Sequence, residues 1–188
     1  ETRLFNPSGL PLVDDAPAPI VQQAPDLTIY ITGFAKNVAA GLRLGLIAAP
    51  PAHLPSLERA IRATTWSTPG VMSAITTEWI RDGTVLQLEH QKREDARLRQ
   101  SMARQILADI PCIGHPASYF LWIPLGEDAR ADQIVMALMR EHISVSTAEP
   151  FATTAHVPHA IRIALGSVAP EVLGTALERV REYVMTLG

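Results

Sequence analysis

Apolar positions recur along this chain with two different periods, and the periods divide it into strands and helices. Residues 11–13 form a short apolar run closed by Asp14 and Asp15, the pattern of a buried strand delivering two carboxylates at its C-terminal end. A proline-rich stretch over residues 16–25 predicts a loop. Residues 28–34 are β-branched and aromatic, which predicts a second strand, with Lys36 just beyond it. Residues 43–48 are again apolar, and Pro50 and Pro51 stop them, so the layout is strand, lysine-bearing turn, strand.

Helical periodicity dominates from there. Residues 54–66 place Leu54, Leu57, Ala60 and Ile61 on one side, and a second helix is predicted over 69–81, ending near Gly83. A long third helix is predicted over about 85–110. Its charged middle, from Glu89 to Gln100, predicts a solvated face. Strands at 119–124, 144–147 and 161–165 alternate with helices at 131–142 and 169–187, the last with Pro170 in its first turn. This predicts two domains, residues 1–95 and 96–188, linked along the long helix. The chain contains no internal repeat and no low-complexity tract.

Composition narrows the function classes. The 188 residues are 47% hydrophobic and 19% charged, a globular profile with enough chain to bury a core. A net charge of −3 supplies no basic surplus for nucleic acid. One cysteine, Cys112, excludes an intramolecular disulfide and suits a reducing cytoplasm. No apolar run reaches membrane-spanning length. The six histidines show no metal spacing; His156 and His159 lie three apart in a proline-containing loop, so no metal is expected. The chain opens at Glu1 rather than Met and reaches a strand within a dozen residues, so a piece of something longer is expected.

The chemistry concentrates in Tyr30-Ile-Thr-Gly-Phe-Ala-Lys36-Asn-Val-Ala-Ala-Gly41-Leu-Arg43-Leu-Gly45. A lysine at a strand end is followed, seven positions on, by an arginine flanked by glycines. A semi-buried lysine near other cations has a lowered pKa and can attack an aldehyde as the neutral amine. A guanidinium can clamp a phosphate with paired hydrogen bonds, and glycines permit close backbone approach. The bland reading is a surface lysine and arginine on a hairpin. The segment resembles the cofactor-lysine motif of class I/II aminotransferases. Its Gly-Leu-Arg-Leu-Gly form is most like the aminotransferase-like domain of MocR-type regulators of the GntR family, which join a winged helix-turn-helix to an aminotransferase fold.

The resemblance implies an α/β fold: part of a fold-type-I, pyridoxal-phosphate-dependent large domain, followed by the small C-terminal α/β domain. It implies pyridoxal 5'-phosphate as cofactor, with Lys36 as the catalytic and cofactor-binding lysine and Arg43 at the phosphate. Leu12-Val13-Asp14 falls where the family has its pyridine-nitrogen carboxylate, which makes Asp14 cofactor-binding, with Asp15 its rival; a turn or helix-cap aspartate is the plain alternative. Ala160-Ile161-Arg162-Ile163 resembles the family segment whose arginine holds the substrate carboxylate, and a salt bridge to an acid such as Glu149 is the structural alternative. Gly33 and Ala35 stand where the family commonly has serines, leaving Thr32 as the nearby hydroxyl, and Pro17 stands where it has a tyrosine. The family's phosphate cup and ring-stacking aromatic would precede residue 1.

The implied partners are an amino acid, a second copy in a homodimer, and DNA only through a winged-helix domain outside this chain. Three functions remain open: an effector-sensing regulator domain, a working aminotransferase, and a remnant with the fold but no site. A shortened large domain is expected to keep about three strands of a mostly parallel sheet, whose open edge and apolar face would promote self-association.

Overall fold

The computed structural model describes residues 19–187, so the predicted strand at 11–13 lies outside the described residues. The chain divides between Lys92 and Arg93 into two compact units.

In the first unit the predicted loop holds a short helix, α1 (Ile20–Gln23), and a single helical turn at Pro25–Leu27. Pro19 and Pro25 sit at or before the first turns of these segments, where a missing N–H costs nothing, so the prolines that suggested a loop are compatible with helix starts. Strand β1 (Tyr30–Gly33) is shorter than predicted because Phe34 begins a one-turn helix, α2 (Phe34–Asn37). Strand β2 (Gly45–Ala48) starts late because Arg43 adopts the left-handed conformation, φ 47°, at the end of a tight turn over Ala40–Leu42. The two strands pair antiparallel, with Tyr30 opposite Ala48 and Gly33 opposite Gly45. The sequence predicts about three strands of a mostly parallel sheet; these two instead form an antiparallel pair, because the connection, residues 34–44, is too short for the crossover a parallel pair needs.

Three helices follow: α3 (Leu54–Thr64), α4 (Gly70–Arg81) and α5 (Thr84–Ile106). The α3 helix forms as its periodicity predicts, yet none of its residues is buried. The core of this unit is small: Phe34, Val38, Leu42 and Val85, with Met72, Ile75, Trp79, Ile80 and Leu88 packed around them. The Asp82 side chain accepts a 2.9 Å hydrogen bond from the Thr84 N–H and caps α5. The α5 helix runs across the boundary between units and ends at Ile106, a turn before the predicted 110.

The second unit is a three-stranded antiparallel sheet backed by helices. Its strands β3 (Phe120–Pro124), β4 (Ser146–Thr147) and β5 (Ala160–Ala164) lie in the order β3-β5-β4, with Trp122 and Ser146 both opposite Arg162. Strand alternation divides the faces. Leu121, Ile123, Ile161 and Ile163 enter the core, while Phe120, Trp122 and Arg162 occupy the other face. Helix α6 (Ala131–Arg140) buries Ile134 and Leu138; helix α7 (Pro170–Leu187) buries Leu173, Leu177, Val180 and Val184 at the i, i+4, i+7 spacing of an amphipathic helix. His142, at φ 61°, stops α6 short of the predicted 142, and the Ile143 N–H returns to the Leu138 carbonyl.

The charged middle of α5 is not uniformly solvated. Glu94 and Arg97 are exposed, but Ala96 and Gln100 are buried and Arg99 is only 8% exposed. Arg99 pairs with Asp95 at 2.8 Å and donates to the Leu165 and Val168 carbonyls at 2.9 and 2.6 Å. Burial of this guanidinium is thus matched by acceptors, and it ties the chain after β5 to the helix.

Candidate cofactor and carboxylate sites

The β1–β2 connection turns its cations outward because its apolar residues point the other way. Phe34, Val38 and Leu42 are buried, whereas Lys36 and Arg43 are exposed. Lys36 lies in the last turn of α2, three residues past the strand end. Its expected semi-burial is therefore not observed in this chain: the helical turn spends its inward positions on Phe34 and Val38. No hydrogen bond or ion pair among the described residues engages Lys36 or Arg43. The left-handed backbone of Arg43 costs about 1–2 kcal/mol for a residue with a Cβ, and such outliers concentrate at functional sites.

The glycines act differently from one another. A Cβ on Gly33 would lie 3.3 Å from the Leu44 carbonyl oxygen, and one on Gly45 would lie 3.3 Å from the Thr32 carbonyl oxygen, so this pair lets the two strands meet at the mouth of the connection. Gly41 has open space beside it. Asp14, its rival Asp15 and Pro17 lie outside the described residues.

Arg162 is half-buried on the outer face of the second unit's sheet. Its guanidinium carbon lies 3.8 Å from the centre of the Phe120 ring and 4.6 Å from that of Phe151. Both are cation–π distances. The Phe151 ring in turn meets Trp122 edge-on at 5.5 Å. No carboxylate or carbonyl among the described residues accepts a hydrogen bond from this guanidinium, so the alternative salt bridge to Glu149 is absent. The aromatic rings fix the fork without consuming its donors.

These three aromatics escaped sequence reasoning. Phe120 and Trp122 could have been found by asking which residues of the β3 strand share a face, but their register against Arg162 is not written locally. Nothing near Phe151, in Glu149-Pro150-Phe151, signals its contact.

The chain matches the model of the aminotransferase class I and II family over residues 7–180. It belongs to that family. Curated relatives include HTH-type transcriptional regulators: YdcR of Escherichia coli, 26% identical over 133 residues, and YdeF of Bacillus subtilis, 24% identical over 164. The matches cover 68% and 86% of this chain but 28% and 35% of those proteins, so it spans about a third of their length. Among solved structures it is similar to LysN, an alpha-aminoadipate aminotransferase from Thermus thermophilus complexed with N-(5'-phosphopyridoxyl)-L-leucine. The TM-score is 0.80 at 19% identity, covering 89% of this chain and 44% of that one. The fold is accordingly part of a fold-type-I aminotransferase, and the family's cofactor is pyridoxal phosphate. No helix among the described residues is long and apolar enough to cross a membrane.

Proposed function

We propose that this chain is the effector-sensing part of a MocR-type transcription regulator, binding pyridoxal phosphate at Lys36 and Arg43 and the carboxylate of an amino acid at Arg162. The observation that carries the ligand role is the Arg162 guanidinium, oriented by two rings and without an acceptor among the described residues. The Lys36 amine and Arg43 guanidinium, without a partner among the described residues and on one short connection, fit a group that carries both an aldehyde and a phosphate. Lys36 would hold the aldehyde covalently, Arg43 would neutralise the phosphate, and Asp14 would face the pyridine nitrogen. The bound cofactor would supply an electron sink for bonds at the amino acid's α-carbon. In a sensor, the protein's part is to bind and orient without turnover. DNA contact then belongs to a winged-helix domain outside this chain, as its net charge of −3 suggests, in a cytoplasmic homodimer.

Arg162→Lys tests the carboxylate role. A planar fork makes two parallel hydrogen bonds that an ammonium cannot copy. The variant is expected to weaken amino-acid binding by about 2–3 kcal/mol, the range for hydrogen bonds to charged groups, while cofactor binding is unchanged. A lowered melting temperature with unchanged ligand affinity would instead assign Arg162 a structural role. With the full-length gene product, amino acid should change DNA affinity without release of a keto acid; steady keto-acid release would make it a working aminotransferase.

A further inference from the structure

The second unit contains a cavity of about 560 Å³ on the same sheet face as Arg162. Its floor is made of small or flat residues: Pro124, Ala148 and Ala160. Ala160 precedes Arg162 by two positions on β5 and Pro124 follows Trp122 by two on β3, so this part of the floor is one strand repeat, about 7 Å, from the guanidinium row. Ala148, just past β4, joins it by donating its N–H to the Ala160 carbonyl at 3.1 Å. The wall is Trp122 and Phe151, the rings that meet edge-on, and Phe151 also touches the Arg162 guanidinium. The described lining is mainly apolar and includes no Asp, Glu, Lys or Arg side chain; its polar side chains are Thr153, Thr154, His156 and His159. Its size falls within the range of small-molecule sites, and a few polar groups at an apolar hollow is their usual chemistry.

We propose that this cavity takes the side chain of the bound amino acid or 2-oxo acid, and that the ligand's side chain is aromatic or a large aliphatic. The proposal rests on the reading of Arg162 as the carboxylate anchor. A ligand held there would extend its side chain along the strand onto Pro124, Ala148 and Ala160, against the faces and edges of Trp122 and Phe151. Aromatic walls favour offset or edge contact with a ligand ring. A second carboxylate would meet no lysine or arginine in the cavity, only the imidazoles of His156 and His159 and the threonine hydroxyls at its rim, and an ammonium would meet no carboxylate, so a charged side chain would be desolvated there without a full ion pair.

The test uses four small probes on the whole 188-residue chain, followed by nuclear magnetic resonance at the Trp122 indole N–H and the Arg162 Nε–H. The probes are 3-phenylpropanoate, propanoate, succinate and 3-phenylpropanamide. The acid with the ring should shift both resonances and bind at least about tenfold more tightly than propanoate or succinate, from burial of the ring. Thr153→Trp, at an exposed position on the cavity rim, should erase that advantage while leaving propanoate binding unchanged. Equal affinities for 3-phenylpropanoate and propanoate, both weakened by Arg162→Lys, would overturn the side-chain assignment and leave the carboxylate anchor standing. Amide binding as tight as acid binding would overturn the anchor itself. No shift of the Trp122 indole up to the solubility limit of 3-phenylpropanoate would overturn the cavity's role outright.

Discussion

The two units share amphipathic patterning but differ in how completely that pattern is buried. In the second unit, fifteen described residues form one buried apolar cluster fed by two strands and three helices. In the first, four described residues form the corresponding cluster, and large apolar side chains remain outside it: Ile31 is 70% exposed, its cross-strand partner Ile47 is 41% exposed, and Leu54 on α3 is 45% exposed. Periodicity in a sequence records that a face needs a partner, and says nothing of whether the partner lies in the same chain. The closed unit has a core sufficient to hold Arg162 in one place. The open unit presents Lys36 and Arg43 on a short connection whose inward residues are its main anchor.

The sharpest way to break this comparison is a matched pair of truncations. Ile161→Ala removes a fully buried side chain from the second unit's sheet and is expected to cost about 2–5 kcal/mol. Ile31→Ala, at an exposed position of the first unit, is expected to change stability by no more than about 0.5 kcal/mol. Denaturant unfolding with hydrogen exchange assigns each loss to its unit. Comparable losses from the two substitutions would remove the distinction.

A polar test of the closed unit comes next in size. Arg99→Met deletes the donors to the Leu165 and Val168 carbonyls and removes the ion pair with Asp95. The expected cost is about 1–3 kcal/mol, with faster amide exchange over residues 165–168. Unchanged exchange there would show that the guanidinium does not hold this segment.

Two titrations sharpen the picture of the same unit. Hydrogen bonds from Arg179 and then Tyr183 hold the Glu141 carboxyl at about 2, below its ordinary 4.5. A depressed carboxyl stabilises the fold above the unfolded value, and that contribution is lost as pH falls through about 2. Arg179→Leu should therefore be less stable than wild type at neutral pH, with the difference shrinking below about pH 4.5. At the alkaline end, burial and then the hydrogen bond to Asp95 push Tyr119 up to about 12. Its contribution is present in full below the unfolded value of 10 and is lost as pH rises through about 12, so Tyr119→Phe should flatten the alkaline decline. Thermal melts across pH read both effects.

The smallest expected change in stability accompanies a change in association. Ile31→Asp with Ile47→Asp places two charges on the exposed face of the hairpin, which should reduce self-association in sedimentation while the melting temperature barely moves. Undiminished association would place the contact elsewhere.

Element types were largely legible in the sequence because long periodic helices such as α5 and α7, and alternating strands such as β3 and β5, state their faces locally. Their ends were less so. The α6 helix stops where His142 turns left-handed, and β2 begins only after Arg43 does the same, neither at a glycine. The antiparallel pairing of β1 with β2 follows from the length of the connection. The Lys36 and Arg43 motif can be proposed from the sequence because its parts are contiguous. The aromatic clamp on Arg162 was not, because Phe120 and Phe151 reach it from segments about 40 and 10 residues away.

The central claim is that Lys36 is the cofactor lysine, and the chain offers an internal control, since Lys36 and Lys92 are its two lysines. Pyridoxal phosphate is added to the protein, the adduct is fixed with borohydride, and the peptides are mapped. The account predicts a label concentrated at Lys36 and suppressed by Arg43→Ala, which removes the phosphate clamp. Equal labelling of Lys36 and Lys92, or a label at Lys36 indifferent to Arg43→Ala, would contradict it.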